Sequence, residues 1–302
     1  LAGDKITIDL GGFTLSGDAG NGHDGIDATA AKEVVVKNGT IRNFDIGVAT
    51  HGMAPKLVKL SKVTLRNNVD SGLRVSADQI VVDKGSAVEN GVGLAPTGTT
   101  VKISGTAVVG NLANGIAVSA NILTVTKALV TGNGGRGLLL TLGGSKITIK
   151  SSQFVRNALG GVFLAEATAL PGAIVVAKNR IVGNGGSGVE TNGVGDPGHL
   201  VPVTVTGNVI AGNGNAGVRL SNDADDTVIA GNRILGNGGH GVEIDPASDG
   251  ALVKGNAIVG NDDSGIFANN GTTKLAKNAL TGNRSPIKAP AGAIDADAVA
   301  RP

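Results

Sequence analysis

One short frame, repeated along nearly the whole chain, restricts what this sequence can fold into more than any other feature. Asn232-Arg-Ile-Leu-Gly-Asn-Gly-Gly-His-Gly-Val-Glu-Ile244 is preceded by Asn208-Val-Ile-Ala-Gly-Asn-Gly-Asn-Ala-Gly-Val-Arg-Leu220. It is followed by Asn256-Ala-Ile-Val-Gly-Asn-Asp-Asp-Ser-Gly-Ile-Phe-Ala268. With apolar residues written h, the shared frame is Asn-x-h-x-Gly-Asn-x-x-x-Gly-h-x-h. Its second Asn recurs at Asn21, Asn43, Asn67, Asn90, Asn111, Asn133, Asn157, Asn184, Asn213, Asn237, Asn261 and Asn283, with separations of 21 to 29 residues. A period in this range marks stacked repeats, each burying its apolar side against its neighbours, and not a globule.

Within one period apolar residues alternate with polar ones, which is the rhythm of a strand. Val203-Thr-Val205, Val209-Ile-Ala211 and Val218-Arg-Leu220 read as three short strands. Gly- and Asn-rich stretches separate them, and both residue types tolerate the left-handed backbone of tight corners. The expected fold is therefore all-β: a single-stranded, right-handed parallel β-helix of about 12 coils of ~24 residues, three strands per coil, roughly 55 Å long. One interior stack is expected at Ile41, Leu65, Val88, Val108, Leu129, Phe154, Ile181, Ile210, Ile234, Ile258 and Leu280. A second is expected at Ile26, Val48, Leu73, Leu94, Ile116, Leu138, Val162, Val189, Val218, Val242 and Ile266. The Asn column should form an internal ladder, each amide bonding the coils above and below. A shorter ladder is expected at Asn179, Asn208, Asn232, Asn256 and Asn278. The solenoid should span residues 1–283, with 284–302 as a tail or partial cap.

Composition closes off several function classes. The 50 Gly lack collagen's every-third spacing, and 41% hydrophobic content suffices for a long core. A net charge of +2 indicates neither nucleic acid nor an anionic membrane as a bulk partner. No apolar run approaches the roughly 18–20 residues of a membrane span. There is no Cys, hence no disulfide framework. Leu1 falls within a strand pattern and no export signal is visible, which suggests that a leader or N-terminal cap has been removed. Oligomeric state leaves no signal.

The pattern resembles the right-handed parallel β-helix repeat proteins of the pectin-lyase-like superfamily, including NosD-like repeat proteins. Ile6-Thr-Ile-Asp-Leu-Gly-Gly-Phe-Thr-Leu-Ser-Gly17 and Val35-Val-Lys-Asn-Gly-Thr-Ile-Arg-Asn-Phe-Asp-Ile-Gly-Val48 resemble the first coils of many such proteins. The resemblance implies a secreted or cell-surface rod. It does not decide activity, because this scaffold hosts lyases, hydrolases, epimerases, adhesins and tailspikes.

Candidate chemistry concentrates where the period lengthens, between Asn157 and Asn213, with extra residues in Ala165 to Ala173 and Thr191 to Pro202. Insertions on one side of a solenoid often build its binding surface. Glu166, Glu190, Asp196, His199, Arg219, Asp223, Asp225, Asp226, Glu243, Asp245 and Asp249 all fall on that side. Glu190, Arg219 and Glu243 hold one outward slot in successive coils, with Phe163 and Phe267 in the same slot beyond them. The functional reading is an anionic polysaccharide groove. Arg219, Glu190 and Glu243 are its catalytic candidates, with Arg219 as a base or uronate clamp. Phe163, Asp196, His199, Asp223, Asp226 and Asp245 are its ligand-binding candidates, and the acids could take Ca²⁺. The competing reading is a surface ion-pair ladder beside solvated acidic turns. If the chain is an enzyme, the resemblance implies a polysaccharide lyase-type activity; if not, a structural or adhesive rod.

Known signatures are incomplete. Gly239-His240-Gly241 and Asp225-Asp226 resemble polygalacturonase motifs, but they lie 14 residues apart where that family spaces them by about one coil. Ile244-Asp-Pro-Ala-Ser-Asp249 resembles the Asp-Pro-His-Asp of mannuronan C5-epimerases, with Ala247 in place of the His and no Tyr anywhere in the chain. The four His lack a zinc spacing, and there is no Trp for sugar stacking. No Asp or Glu occurs from Gly91 to Ala165, whereas acids dominate from Glu166 to Asp263. This predicts a basic middle and an acidic following section along the rod, favouring an anionic ligand near their junction.

Overall fold

The computed structural model describes residues 2–19, 22–52, 54–141, 146–165, 173–193, 203–222, 224–290 and 299–300. They form a right-handed parallel β-helix of about eleven turns with no helix among the described residues. No helix there is long and apolar enough to cross a membrane.

Each coil contributes to three faces. In one representative coil, face A is Val203–Thr206, face B is Val209–Ala211 and face C is Val218–Ser221. Each pairs in parallel with the strand one coil on, as in Val205↔Ile229, Ile210↔Ile234 and Val218↔Val242. In early coils the corners are tight enough for one strand to turn them: Ala30–Arg42 runs from A to B, and Ser71–Asp83 from C to A. The two longest intervals of the repeat fall between a face C strand and the next face A strand, after Val162–Ala165 and after Val189–Asn192. Parallel pairing continues past residue 283, where Ser285–Lys288 adds to Ser264–Ala268 and Val299–Ala300 to Asn278–Thr281.

Stacked like residues fill the interior. The column on face C from Ile26 to Ile266 is as expected, every member at most 5% exposed. On face B the core column runs through Ile41, Leu65, Ala87, Val108, Val130 and Phe154. Val88 and Leu129, expected inside, each lie one residue off it and face outward, Leu129 at 38% exposed. With a side-chain period of two, a one-residue slip moves a residue to the opposite face.

The same slip affects the first ladder. Asn43 and Asn67 lie outside it, at φ 57° and 53°, in the left-handed position filled elsewhere by Gly212, Gly236 and Gly260. The ladder proper is Asn68, Asn90, Asn111, Asn133, Asn157, Asn184, Asn213, Asn237, Asn261 and Asn283. Phe44 takes the equivalent slot one coil earlier, its N–H donating to Asn68 Oδ1 at 3.2 Å. Asn21 lies outside the described residues. The shorter ladder is as expected, Asn179 through Asn278, with each Nδ2 3.0–3.1 Å from the next Oδ1.

Amides within the ladder bond to the coils on both sides. Asn237 Oδ1 accepts the backbone N–H and Nδ2 of Asn213 at 3.1 and 2.9 Å. Its own N–H and Nδ2 donate to Asn261 Oδ1 at 3.0 and 2.8 Å. Aligned amides of this kind polarise one another, and their burial makes an unpaired one costly. The frame's glycine has a steric cause. A Cβ on Gly241 would lie 2.4 Å from Ile258 Cγ2 and 2.5 Å from the Gly265 carbonyl, so only glycine lets successive coils close at this corner.

Replacing Asn237 with Leu strands two donors on Asn213 and removes one of the two donors to Asn261 Oδ1, and should lower unfolding stability by roughly 1–3 kcal/mol. Asn67→Gly, at the left-handed position beside the ladder, should leave stability unchanged or slightly raised. Denaturant titration of the two variants checks both; equal midpoints would show that Asn237 bears no more load than Asn67.

Candidate functional site

The outward slot of face C holds the most concentrated side-chain chemistry. Register places Leu139, Phe163, Glu190, Arg219, Glu243, Phe267 and Lys288 in one column, one residue per coil. Arg219 lies between the two carboxylates, Nη1 3.8 Å from Glu190 Oε1 and Nε 3.6 Å from Glu243 Oε1. Both separations exceed hydrogen-bond length. Arg219 Nε is buried and has no hydrogen-bond partner among the described residues, while the side chain as a whole is 43% exposed. The guanidinium is thus oriented by charge while retaining donors to offer outward.

A cation covers the aromatic ring at each end. The Arg136 guanidinium lies 3.9 Å above Phe163, and Lys288 Nζ is 5.3 Å from Phe267. His240 stacks on Phe267, with centroids 4.7 Å apart and an interplanar angle of 12°, and its Nδ1 accepts the Ser264 N–H at 3.1 Å. Arg136 and His240 occupy the same position, immediately before the frame's Gly, and each reaches the outward slot of the next coil. Beside Glu190, a cavity of about 230 Å³ opens at the B–C corner, lined by Arg136, Leu159, Gly186, Ser187, Glu190 and Asn215 among others. That volume is below the few hundred Å³ of a drug-sized site and suits one polar group of a larger ligand.

Phe163, Glu190, Arg219 and Glu243 are therefore brought together. Asp226 and Asp245 lie apart, at the C–A corner, and serve the turn. Asp245 accepts the Asn222 N–H at 2.9 Å, the Ala247 N–H at 3.2 Å and the Ser248 hydroxyl at 3.1 Å. Asp226 donates its N–H to the Asp249 carbonyl at 2.9 Å and adopts φ 49°. Asp249 accepts the Thr272 hydroxyl at 2.8 Å. Asp196, His199 and Asp223, with Glu166, lie outside the described residues. Among the described residues no three His, Cys, Asp or Glu side chains cluster as a metal site would require.

Three contributors escape a reading by coil: Arg136, His240 and Lys288. The first two could have been found, since Arg136–Phe163 and His240–Phe267 share a spacing of 27 residues. A separate pair lies near the N-terminal end, where His51 Nε2 is 2.6 Å from Asp24 Oδ2. That hydrogen bond, followed by the attraction of Asp24 and Asp27, raises the His51 pKa above its ordinary 6.5, against a smaller opposing effect of burial. Asp27, bonded by the Thr29 hydroxyl and N–H, is held below the usual carboxylate value.

A model of the right-handed beta helix region matches residues 4–154 and again residues 141–296. The chain belongs to this family. No curated protein matches it significantly. Among solved structures, this β-helix protein is similar to the periplasmic alginate epimerase AlgG, at 13% identity and TM-score 0.55 over 99% of this chain and 72% of that one. It is also similar to the A-module of the Azotobacter vinelandii mannuronan C-5 epimerase AlgE4, at 17% identity and TM-score 0.51 over 87% of this chain and 90% of that one. At such identities the likeness is one of fold.

A His whose pKa is raised by folding stabilises the folded state when protonated, fully below its ordinary value, and this contribution disappears as pH rises through the folded value. The stability difference between the parent and His51→Gln should therefore be largest near about pH 5 and vanish by about pH 9. Denaturant unfolding across that range checks it; a difference independent of pH would show that the Asp24 contact carries no proton linkage.

Proposed function

We propose that this β-helix protein binds an anionic polysaccharide along the outer slot of face C, with Arg219 gripping a carboxylate or sulfate. The observation that carries this reading is the Arg219 guanidinium held between Glu190 and Glu243, with an unpartnered buried Nε and a half-exposed head. Arginine's planar fork suits bidentate recognition of such groups. Arginine is a donor without an acceptor and is not deprotonated in proteins, which favours the clamp over a proton-abstracting base. Phe163 and Phe267, four coils apart, bound a track of roughly 19 Å at strand spacing, long enough for an extended polymer. The cavity beside Glu190 would take one substituent of a sugar unit.

The fold likeness to two alginate-acting enzymes supports a uronic acid polymer and a location outside the cytoplasm. Processing of that polymer by the epimerases' Asp-Pro-His-Asp arrangement is not part of the reading, since Asp245 is engaged in its own turn and Ala247 holds the histidine position. A second reading, a non-catalytic structural or adhesive rod, is favoured by the two unbroken asparagine columns. It predicts no glycan affinity at face C.

Partly exposed ion pairs contribute only about 0.2–1 kcal/mol each, so Arg219→Ala should leave the fold intact. It should weaken binding of alginate about tenfold as read by calorimetry, with an unchanged melting midpoint. A variant that binds like the parent would reduce the ladder to a cross-strand ion pair.

A further inference from the structure

Over seven successive coils, charge is sorted by face more than by position along the rod. The stretches 125–133, 149–157, 176–184, 205–213, 229–237, 253–261 and 275–283 build face B and its two corners in seven successive coils, and they contain no Asp or Glu. The described acids of these coils lie on face C, at the C–A corner or in the turn beyond Asn261. Face B and its corners carry only cations. Lys127, Lys178 and Lys277 stand at the A–B corner, with Lys150 and Lys254 beside it. Arg180 and Arg233 point outward from the face itself, and Arg156 stands at the B–C corner. All are exposed, and none makes an ion pair or a side-chain hydrogen bond among the described residues.

The backbone supplies a second, independent observation. Lys127, Arg156, Lys178 and Lys277 have φ of 52°, 54°, 55° and 53°. Side chains with a Cβ are disfavoured there, and Gly207, Gly231 and Gly255 fill the A–B position in other coils at φ 61–62°. The chain thus repeatedly sets a long cation where glycine fits more easily, and no acid within the fold draws it there. An open recess of about 420 Å³ spanning three of these coils is lined by Gln153, Lys178, Asn179, Arg180 and Val209 among others.

We propose that face B is a second, electrostatic binding surface for a linear anionic polysaccharide lying parallel to the rod axis. It is distinct from the Arg219 track and independent of it. The shape favours a polymer over a lipid surface. The strip is one three-residue strand wide, about 10 Å, and about 29 Å long at strand spacing. Of its outward apolar residues, Val155, Val182 and Leu235 are half-buried and Leu129 and Val259 are 38% exposed, and the chain has no Trp or Tyr with which to anchor at a bilayer interface. Lysines act here as point charges along a track, giving affinity that salt screens.

The test compares the parent, Lys178→Gln/Arg180→Gln/Arg233→Gln, and Arg219→Ala for binding to alginate, to heparin, to neutral dextran, and to phosphatidylcholine vesicles containing phosphatidylserine. The triple variant should melt like the parent and bind alginate or heparin about tenfold more weakly at low salt. It should also lose less affinity than the parent between about 0.05 M and about 0.5 M salt. Dextran should not bind. Undiminished polyanion binding by the triple variant overturns the proposal, as does a parent that binds neither polymer at low salt. A triple variant impaired only toward the vesicles overturns it in favour of a lipid surface. If Arg219→Ala binds like the parent while the triple variant does not, the face C reading fails and face B stands; the reverse pattern removes face B alone.

Discussion

Inter-coil register is the constraint on which everything else here depends, and the buried asparagine columns hold it. A parallel stack of short strands has little to prevent one coil from sliding along the next, since Val, Ile and Leu tolerate many neighbours. A buried amide does not. Asn237 makes four hydrogen bonds to Asn213 and Asn261, and a coil displaced by one residue would leave them unmade in an apolar interior. Two such columns, at successive corners, fix both ends of the short face B strand. Face A and face C strands then inherit their alignment.

A register fixed from within leaves the outer residues free to vary, which is how one scaffold carries two differently charged sides. On face C, acid, base and acid occupy adjacent coils beneath Phe163 and Phe267. On face B, cations recur with no acid between them. A chain with net charge +2 can therefore present strong local fields of either sign. The acidic section expected from composition along the chain carries its described acids on face C, at the C–A corner and in the turn beyond Asn261, while its face B stays basic. Lys178, Arg180, Arg233 and Lys254 all fall within the section that reads as acidic.

Most of the architecture is legible in the sequence because it is periodic and local. Alternation gives strands, the frame's Gly gives the corner, and the recurring Asn gives the ladder. The errors arise where two residues compete for one slot. At Asn67-Asn68 either could join the column, and only the constant offset of three residues from the core position, as from Leu65 to Asn68 and Val130 to Asn133, separates them. The site is half legible. The column Phe163, Glu190, Arg219, Glu243 follows from register alone. Arg136 and His240 do not, because their side chains cross to the next coil, nor does the His51–Asp24 pair, which depends on how a corner turns. The turn roles of Asp245 and Asp249 were hidden for the opposite reason: a cluster of carboxylates looks the same in sequence whether it faces a ligand or its own backbone.

Unpaired cations on one side and an arginine held between carboxylates on the other point to a division of labour in how a polyanion would be held. A lysine at the A–B corner presents a mobile point charge on a long stem, over a shallow surface, with no acid to orient it. Such a contact is tolerant of ligand register and strongly screened by salt. Arg219 differs in each respect. Its Nε is enclosed, its plane is set by carboxylates on both sides, and rings four coils apart limit the track above and below. The entropy of ordering that side chain is already spent in the folded protein, so a carboxylate arriving at the right coil meets a preformed fork. A surface of the first kind gathers a polymer without reading it, and one of the second kind selects a position along it. On a rod whose coils repeat at strand spacing, discrimination between equivalent positions has to come from such a local break in the repeat, and on face C that break is the single arginine between two glutamates.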